Sequence, residues 1–196
     1  MRLTRLLALL STLAILAFAA AGCGGGGDSS SASGTKPETW SADVCGALQT
    51  WEDDLKSGSQ QLSSDIQSST DLKSVKQKLV AFLQNAQQST EKMVADVKSA
   101  GAPAVKDGPA IQSDLESGLT EARGSFQHAV TQAKKLPTND PRALTTGLSS
   151  LAQTIQSELT ATGNHFSNLD TKYDVGDLNK AMAAEPSCKP FVSPSG

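Results

Sequence analysis

Apolar residues recur at spacings of three and four through four stretches of the chain. The first holds Val44, Leu48, Trp51, Leu55, Leu62 and Ile66, and the second Leu72, Val75, Leu79, Phe82, Ala86, Met93 and Val97. The third holds Ile111, Leu115, Leu119, Ala122, Phe126, Val130 and Ala133, and the fourth Leu144, Leu148, Leu151, Ile155, Leu159, Phe166 and Leu169. Each set forms one stripe on a helix of period 3.6, and Gln, Ser, Thr, Lys and Asp fill the opposite face. No run alternates apolar and polar as a half-buried strand would.

The residues between the stripes mark helix ends. Ser41 is a candidate cap for the first helix, and Thr70 or Ser69 for the second. Gly101-Ala102-Pro103 ends the second, and Gly108-Pro109 opens the third. Pro137 stops the third, and Asp140-Pro141 opens the fourth with an acid cap and a proline at the first helical position. A shorter helical segment lies around Asp177 to Ala184. Short links between long helices predict an all-α, up-down-up-down antiparallel four-helix bundle over about Ser41 to Leu169, with a short C-terminal helix. Gly118, Gly124, Gly147 and Gly163 fall inside these helices at about 1 kcal/mol each relative to Ala, and the pattern gives them no role. Gly163-Asn164 is a candidate break near the end of the fourth.

The N-terminus follows a different pattern. Arg2 and Arg5 precede an uncharged, mostly apolar run from Leu6 to Ala21, and small residues lead to Cys23. This order is that of a secretory signal peptide, and the run is short for a permanent span of about 20 residues. Ala20-Ala21-Gly22-Cys23 resembles a bacterial lipobox, with Ala20 where that pattern usually has Leu. The resemblance implies that Cys23 becomes the lipidated first residue of the mature chain. More than one acyl chain on that cysteine gives stable anchoring, which a single chain does not. Gly24 to Gly27, Asp28 and a run dominated by Ser, Ala and Gly up to Pro37 are too poor in apolar surface to order themselves. The predicted organisation is a signal peptide over 1–22, a lipidated cysteine and flexible tether over 23–39, and a helical domain over 40–196.

Charge and cysteines narrow the picture. Without its first 22 residues the chain has 15 basic and 20 acidic residues, a net −5. That balance argues against a nucleic-acid partner, which requires clustered Lys and Arg. Export places Cys45 and Cys188 in an oxidising compartment. In an up-down-up-down bundle the first helix starts where the fourth ends, so these two cysteines come to one end and are expected to form a disulfide. The signal peptide, lipobox and Gly/Ser tether, with Trp40 and Cys45 opening helix one and Asp177-Leu178 through Ala181 to Cys188 closing the chain, resemble the small secreted helical lipoproteins of actinobacteria. The resemblance implies a location and a fold, and no activity.

Residues that could carry chemistry are few. Neither His128 nor His165 has the Glu three positions before it that a di-iron bundle uses. Axial counting puts His128 opposite Ser149 or Ser150, about 23 Å along the rod from His165, so the two cannot share a site. There is no nucleophile elbow, no cysteine free to pair with a histidine, and no Asp or Glu among the stripe positions to bind a metal inside the bundle. No catalysis, metal or cofactor is therefore expected. Trp40, Trp51, His165, Phe166, Tyr173 and Phe191 gather at the terminal end by the same counting, above Thr90 and Thr162. These aromatics either plug that end against the disulfide or, with Trp51, Thr90, Thr162 and Phe166, line a small pocket. The expected protein is a non-enzymatic lipoprotein anchored to the outer face of the cell membrane. Its bundle would contact another envelope protein or the cell wall. The alternative is a lipoprotein that holds a small molecule or lipid in the bundle interior or at the aromatic end.

Overall fold

The structure, a computed structural model, describes residues 34–191; the side chains of residues 162 and 164–167 lie outside that description. The signal peptide, Cys23 and the tether up to residue 33 also lie outside it. The described chain is all helical. Four long helices, α1 (Pro37–Gln67), α2 (Leu72–Ala100), α3 (Gly108–Lys134) and α4 (Pro141–Ser167), are followed by α5 (Leu169–Lys172) and α6 (Gly176–Ala184). A 3-10 turn, Pro186–Cys188, completes the chain. The four-helix bundle read from the hydrophobic pattern is present, with its short C-terminal helix. Helix α4 runs unbroken through Gly163-Asn164, the candidate break.

Helix α1 starts earlier than the pattern suggested. Pro37 occupies its first turn, where a missing N–H costs nothing, and Glu38 faces the positive helix end. Ser41 is therefore no cap; it lies a turn inside the helix and is fully buried. The lead-in is ordered as well. Thr35 N–H donates to Ala102 O at 2.8 Å, and Ala104 N–H donates to Thr35 O at 2.7 Å, a one-residue parallel bridge. Thr35 Oγ1 donates to Ala100 O at 2.6 Å. The tether expected to reach Thr39 thus yields its last six residues, 34–39, to the folded domain.

At α2 the cap is Asp71, one residue beyond Thr70. Its carboxylate accepts from Ser74 N–H at 2.9 Å and from Ser74 Oγ at 2.8 Å. These bonds, the backbone one first, hold the Asp71 carboxyl below its ordinary value. Asp140 caps α4 as read, accepting from Arg142 N–H at 2.8 Å. The α2–α3 loop turns through Gly101 at φ +69° and Asp107 at φ +62°, the left-handed region that glycine and aspartate tolerate best. Gly108 opens α3 with no room for a side chain, since a Cβ there would lie 1.9 Å from Pro103 O.

The interior divides into two cores. At the terminal end, Trp40, Val44 and Ala47 of α1 pack with Met93, Val97 and Ala100 of α2, Ile111, Leu115 and Leu119 of α3, and Leu178 of α6. At the far end, Leu83 of α2, Ala129, Val130 and Ala133 of α3, Leu136 of the following loop, and Leu144 and Leu151 of α4 form the second. Helix α1 packs along α2, α2 along α3 and α3 along α4, but among the described residues α1 and α4 do not pack along one another. The fourth side of the terminal core is supplied by α6 and the 3-10 turn, which lie on α1. Cys45 and Cys188, both fully buried, are joined there by a disulfide across 143 positions.

Two outcomes follow from this packing. Replacing both cysteines with Ala removes the constraint on a loop of that length, with a loss of up to about 5 kcal/mol in chemical denaturation; unchanged stability would show that packing alone holds α6 on α1. Gly124 has open space around it, so Gly124→Ala should stabilise by about 1 kcal/mol through helix propensity. Gly108→Ala should instead destabilise strongly. Thermal melts of the two variants shifting in the same direction would contradict this assignment.

Candidate functional site

Three sets of polar groups stand out, and each arises from a helix facing its neighbour. The first is at the terminal end. The first turn of α1 points Trp40 across the end of the bundle, where it is 4% exposed. Its indole Nε1–H donates to Gly101 O at 2.9 Å and is shared with Gln112 Oε1 at 3.1 Å. Gln112 of α3 is 6% exposed, and its Nε2 donates to Val97 O at 3.0 Å and to Glu116 Oε1 at 2.9 Å. One buried amide therefore connects α1, the end of α2 and the first turns of α3. Sequence reasoning missed it because a glutamine reads as surface even where, as at Gln112, it lies three positions before Leu115 at the edge of the apolar stripe.

About three turns further from that end are Trp51 and Thr90, two of the four residues expected to line a pocket. The structure brings them together, but toward each other. Trp51 Nε1–H donates to Thr90 Oγ1 at 2.9 Å, and Thr90 Oγ1 donates to Ala86 O at 2.7 Å. Thr90 is fully buried and Trp51 rests against the terminal core. The polar groups of both residues are thus bonded to one another and to the α2 backbone. Thr162 and Phe166, the other two, have side chains outside the described residues, as does His165.

The outer face of α3 carries the third set. Asp114 accepts from Tyr173 Oη at 2.9 Å and pairs with Lys172 Nζ at 2.6 Å, and the ammonium lies 5.0 Å from the Tyr173 ring centre. The hydrogen bond to Asp114 raises the Lys172 pKa above its ordinary value. This cluster fixes α5 to the start of α3. Asp170, next to it, is pushed up by burial. Further along α3, His128 Nδ1 and Glu158 Oε1 are 2.8 Å apart, and His128 Nε2 is 3.1 Å from Gln132 Nε2. Gln132 Nε2 can only donate, which leaves Nδ1 as the donor to Glu158. His128 thus bonds to a residue two turns beyond Ser149 and Ser150, where axial counting had placed its neighbour. Side chains lean toward their own helix N-terminus, so on antiparallel helices two long ones meet across a gap that Cα counting overestimates.

The depressions in the surface are shallow. One, about 370 Å³, lies between α1 and α2 against Asp43, Gly46, Thr50, Asp96 and Ser99. Another, about 410 Å³, follows α4 over Ser150, Gln153, Thr154, Ser157 and Glu158. Both open broadly to solvent. Among the described residues no three His, Cys, Asp or Glu side chains converge as metal ligands, and no helix is long and apolar enough to cross a membrane. What fold and sites define together is a disulfide-closed, all-α bundle in which, among the described residues, the buried Thr90 and Gln112 side chains are hydrogen-bonded and the buried Ser41 hydroxyl is not. Comparison with known protein families, with curated proteins and with solved structures finds no match for this chain.

The Trp51–Thr90 bond is open to direct test. Thr90→Val keeps the shape and removes the acceptor, so the variant should lose about 1 kcal/mol and Trp51 fluorescence should respond. A neutral substitution would mean that solvent or another group satisfies the indole.

Proposed function

We propose that the protein is an exported lipoprotein, acylated at Cys23, held on the outer face of the cell membrane and acting there by contact with an envelope protein or the cell wall rather than by catalysis. The observation that carries the contact reading is the pairing of Trp51 with Thr90 against the terminal core. The aromatic end then serves as a plug, and what remains for recognition is the polar outer surface of the helices. The ordered lead-in supports the placement. Ten residues separate Cys23 from Gly34, and even fully extended they reach at most about 36 Å. A lipid on Cys23 would hold the Thr35–Pro103 bridge, and with it the terminal end of the bundle, close to the membrane.

The test is the fate of the protein in a host that exports it. The wild type should partition into detergent and carry acyl mass on Cys23, while Cys23→Ala should move to the aqueous phase with its helical circular dichroism unchanged. A mature chain starting downstream of Cys23 without acyl groups would refute the anchor. Cross-linking of the intact envelope should yield a protein or wall adduct. Recovery of a stoichiometric small molecule or lipid from the bundle would favour the ligand reading instead.

A further inference from the structure

The charges of the bundle are segregated along its length. The far end is built from the end of α1, the α1–α2 link, the first turns of α2, the last turn of α3, the α3–α4 link and the start of α4. Over residues 65–78 and 132–142 it carries six basic residues, Lys73, Lys76, Lys78, Lys134, Lys135 and Arg142, against the three acids Asp65, Asp71 and Asp140, a net +3. The rest of residues 34–191 carries nine basic and sixteen acidic residues, a net −7. These segments are one surface, since Lys76 Nζ of α2 donates to Leu136 O of the α3–α4 link at 2.9 Å.

The acids of this tip are already engaged. Asp71 and Asp140 turn their carboxylates onto the first backbone N–H groups of α2 and α4, and Asp65 faces Lys78 at 3.6 Å. Lys73, Lys134, Lys135 and Arg142 are exposed, so the outward field of the tip is positive. Helix stability accounts for Lys134 and Lys135, at the negative end of α3, but not for Lys73 and Arg142. Those two sit in the first turns of α2 and α4, where the helix dipole disfavours a cation. No aromatic residue lies in either segment, which leaves charge rather than stacking as the means of recognition.

We propose that this tip is a docking surface for a linear polyanion lying outside the membrane. The choice of an external polymer over the bilayer rests on the Cys23 anchor. With 31 residues in α1, at about 1.5 Å each, the tip stands about 46 Å from the lead-in, whereas the ten residues back to Cys23 reach at most about 36 Å. An anchored molecule therefore cannot plant its tip end-on upon its own membrane, and the acidic remainder is repelled by anionic lipid. Repeating charges on a polymer match four spread cations and release their own counterions on binding.

Long-chain inorganic polyphosphate is a suitable probe, titrated against the exported protein in detergent at several salt concentrations. Binding should weaken linearly in log salt, with a slope that falls by about 1 for each contacting cation removed. The quadruple variant Lys73→Gln, Lys134→Gln, Lys135→Gln and Arg142→Gln should lose about tenfold or more in affinity with its helicity intact. Lys98→Gln with Lys106→Gln, at the opposite end, should change it less than about twofold. Should the quadruple variant prove unfolded, Lys135→Gln and Arg142→Gln singly should each reduce the slope. Absence of binding at low salt, equal losses from both ends, or an unaltered tip variant would each overturn the proposal. Tighter binding to anionic lipid vesicles than to polyphosphate at equal charge would overturn it in favour of a membrane contact. The anchor is scored apart from this by the mass of the mature N-terminus. Acylation without polyphosphate binding removes the tip alone, and binding without acylation removes the anchor alone.

Discussion

The Trp40 indole is the point on which the terminal end depends. Its single N–H is satisfied by the carbonyl that ends α2 and by an amide from α3, in a position where an unmade bond would cost about 1–3 kcal/mol. That requirement fixes the rotation of α1 about its axis. Ser41, Val44 and Cys45 then face inward, and the Cys45 sulfur meets Cys188 when the chain returns. Thr35 is held by the same loop that receives the indole. The entry of the chain, the α2–α3 turn and the C-terminus thus form one mutually dependent junction, and its constraints are hydrogen bonds and a covalent bond as well as apolar area.

The fourth wall of the bundle is shared. Helix α4 completes the far core with α2 and α3, while α6 completes the terminal core with α1, α2 and α3. This division explains why α6, only nine residues long, is ordered. A helix that short is marginal alone; here Leu178 and Ala181 are buried and the disulfide two turns later prevents it from leaving. It also explains one glycine that the pattern left without a role. A Cβ at Gly147 would come 2.5 Å from Leu136 Cδ2, so its absence lets the α3–α4 link fold back onto α4 and place Leu136 in the far core. Gly124 meets nothing, and no structural role is found for it.

Polar side chains inside the bundle tie its helices to one another. Thr90 and Gln112 each bond to a tryptophan from α1 and to a backbone carbonyl of α2. Using two of the three buried polar side chains among the described residues in this way sets the register of α1 against α2 and α3, which leucine and valine stripes alone would leave free to slide; the hydroxyl of the third, Ser41, has no hydrogen-bond partner there. The remaining chemistry of the molecule, its charge, lies on the surface and is unevenly distributed along the rod.

Much of this was legible in the chain itself. Period-3.6 stripes specified four helices because burial of one face is their main source of stability, and Asp140-Pro141 and Gly108-Pro109 marked two starts because local backbone chemistry permits little else there. Cys45 and Cys188 were paired by topology, since an antiparallel bundle returns its last helix to its first. The terminal aromatics were expected as a plug or a pocket, and only the packed helices show that Trp51 and Thr90 bond to one another. Gln112 was invisible because a polar residue beside a stripe declares nothing until a distant indole reaches it. The start of α1 at Pro37 depended on Thr35 meeting Ala102 and Ala104, about 70 positions away in sequence. Local periodicity therefore determined which segments are helical and which faces they bury. Contacts between residues far apart in the chain decided how those helices are rotated, where the first begins and which short segment closes the fourth side, because such contacts form only once the helices are packed.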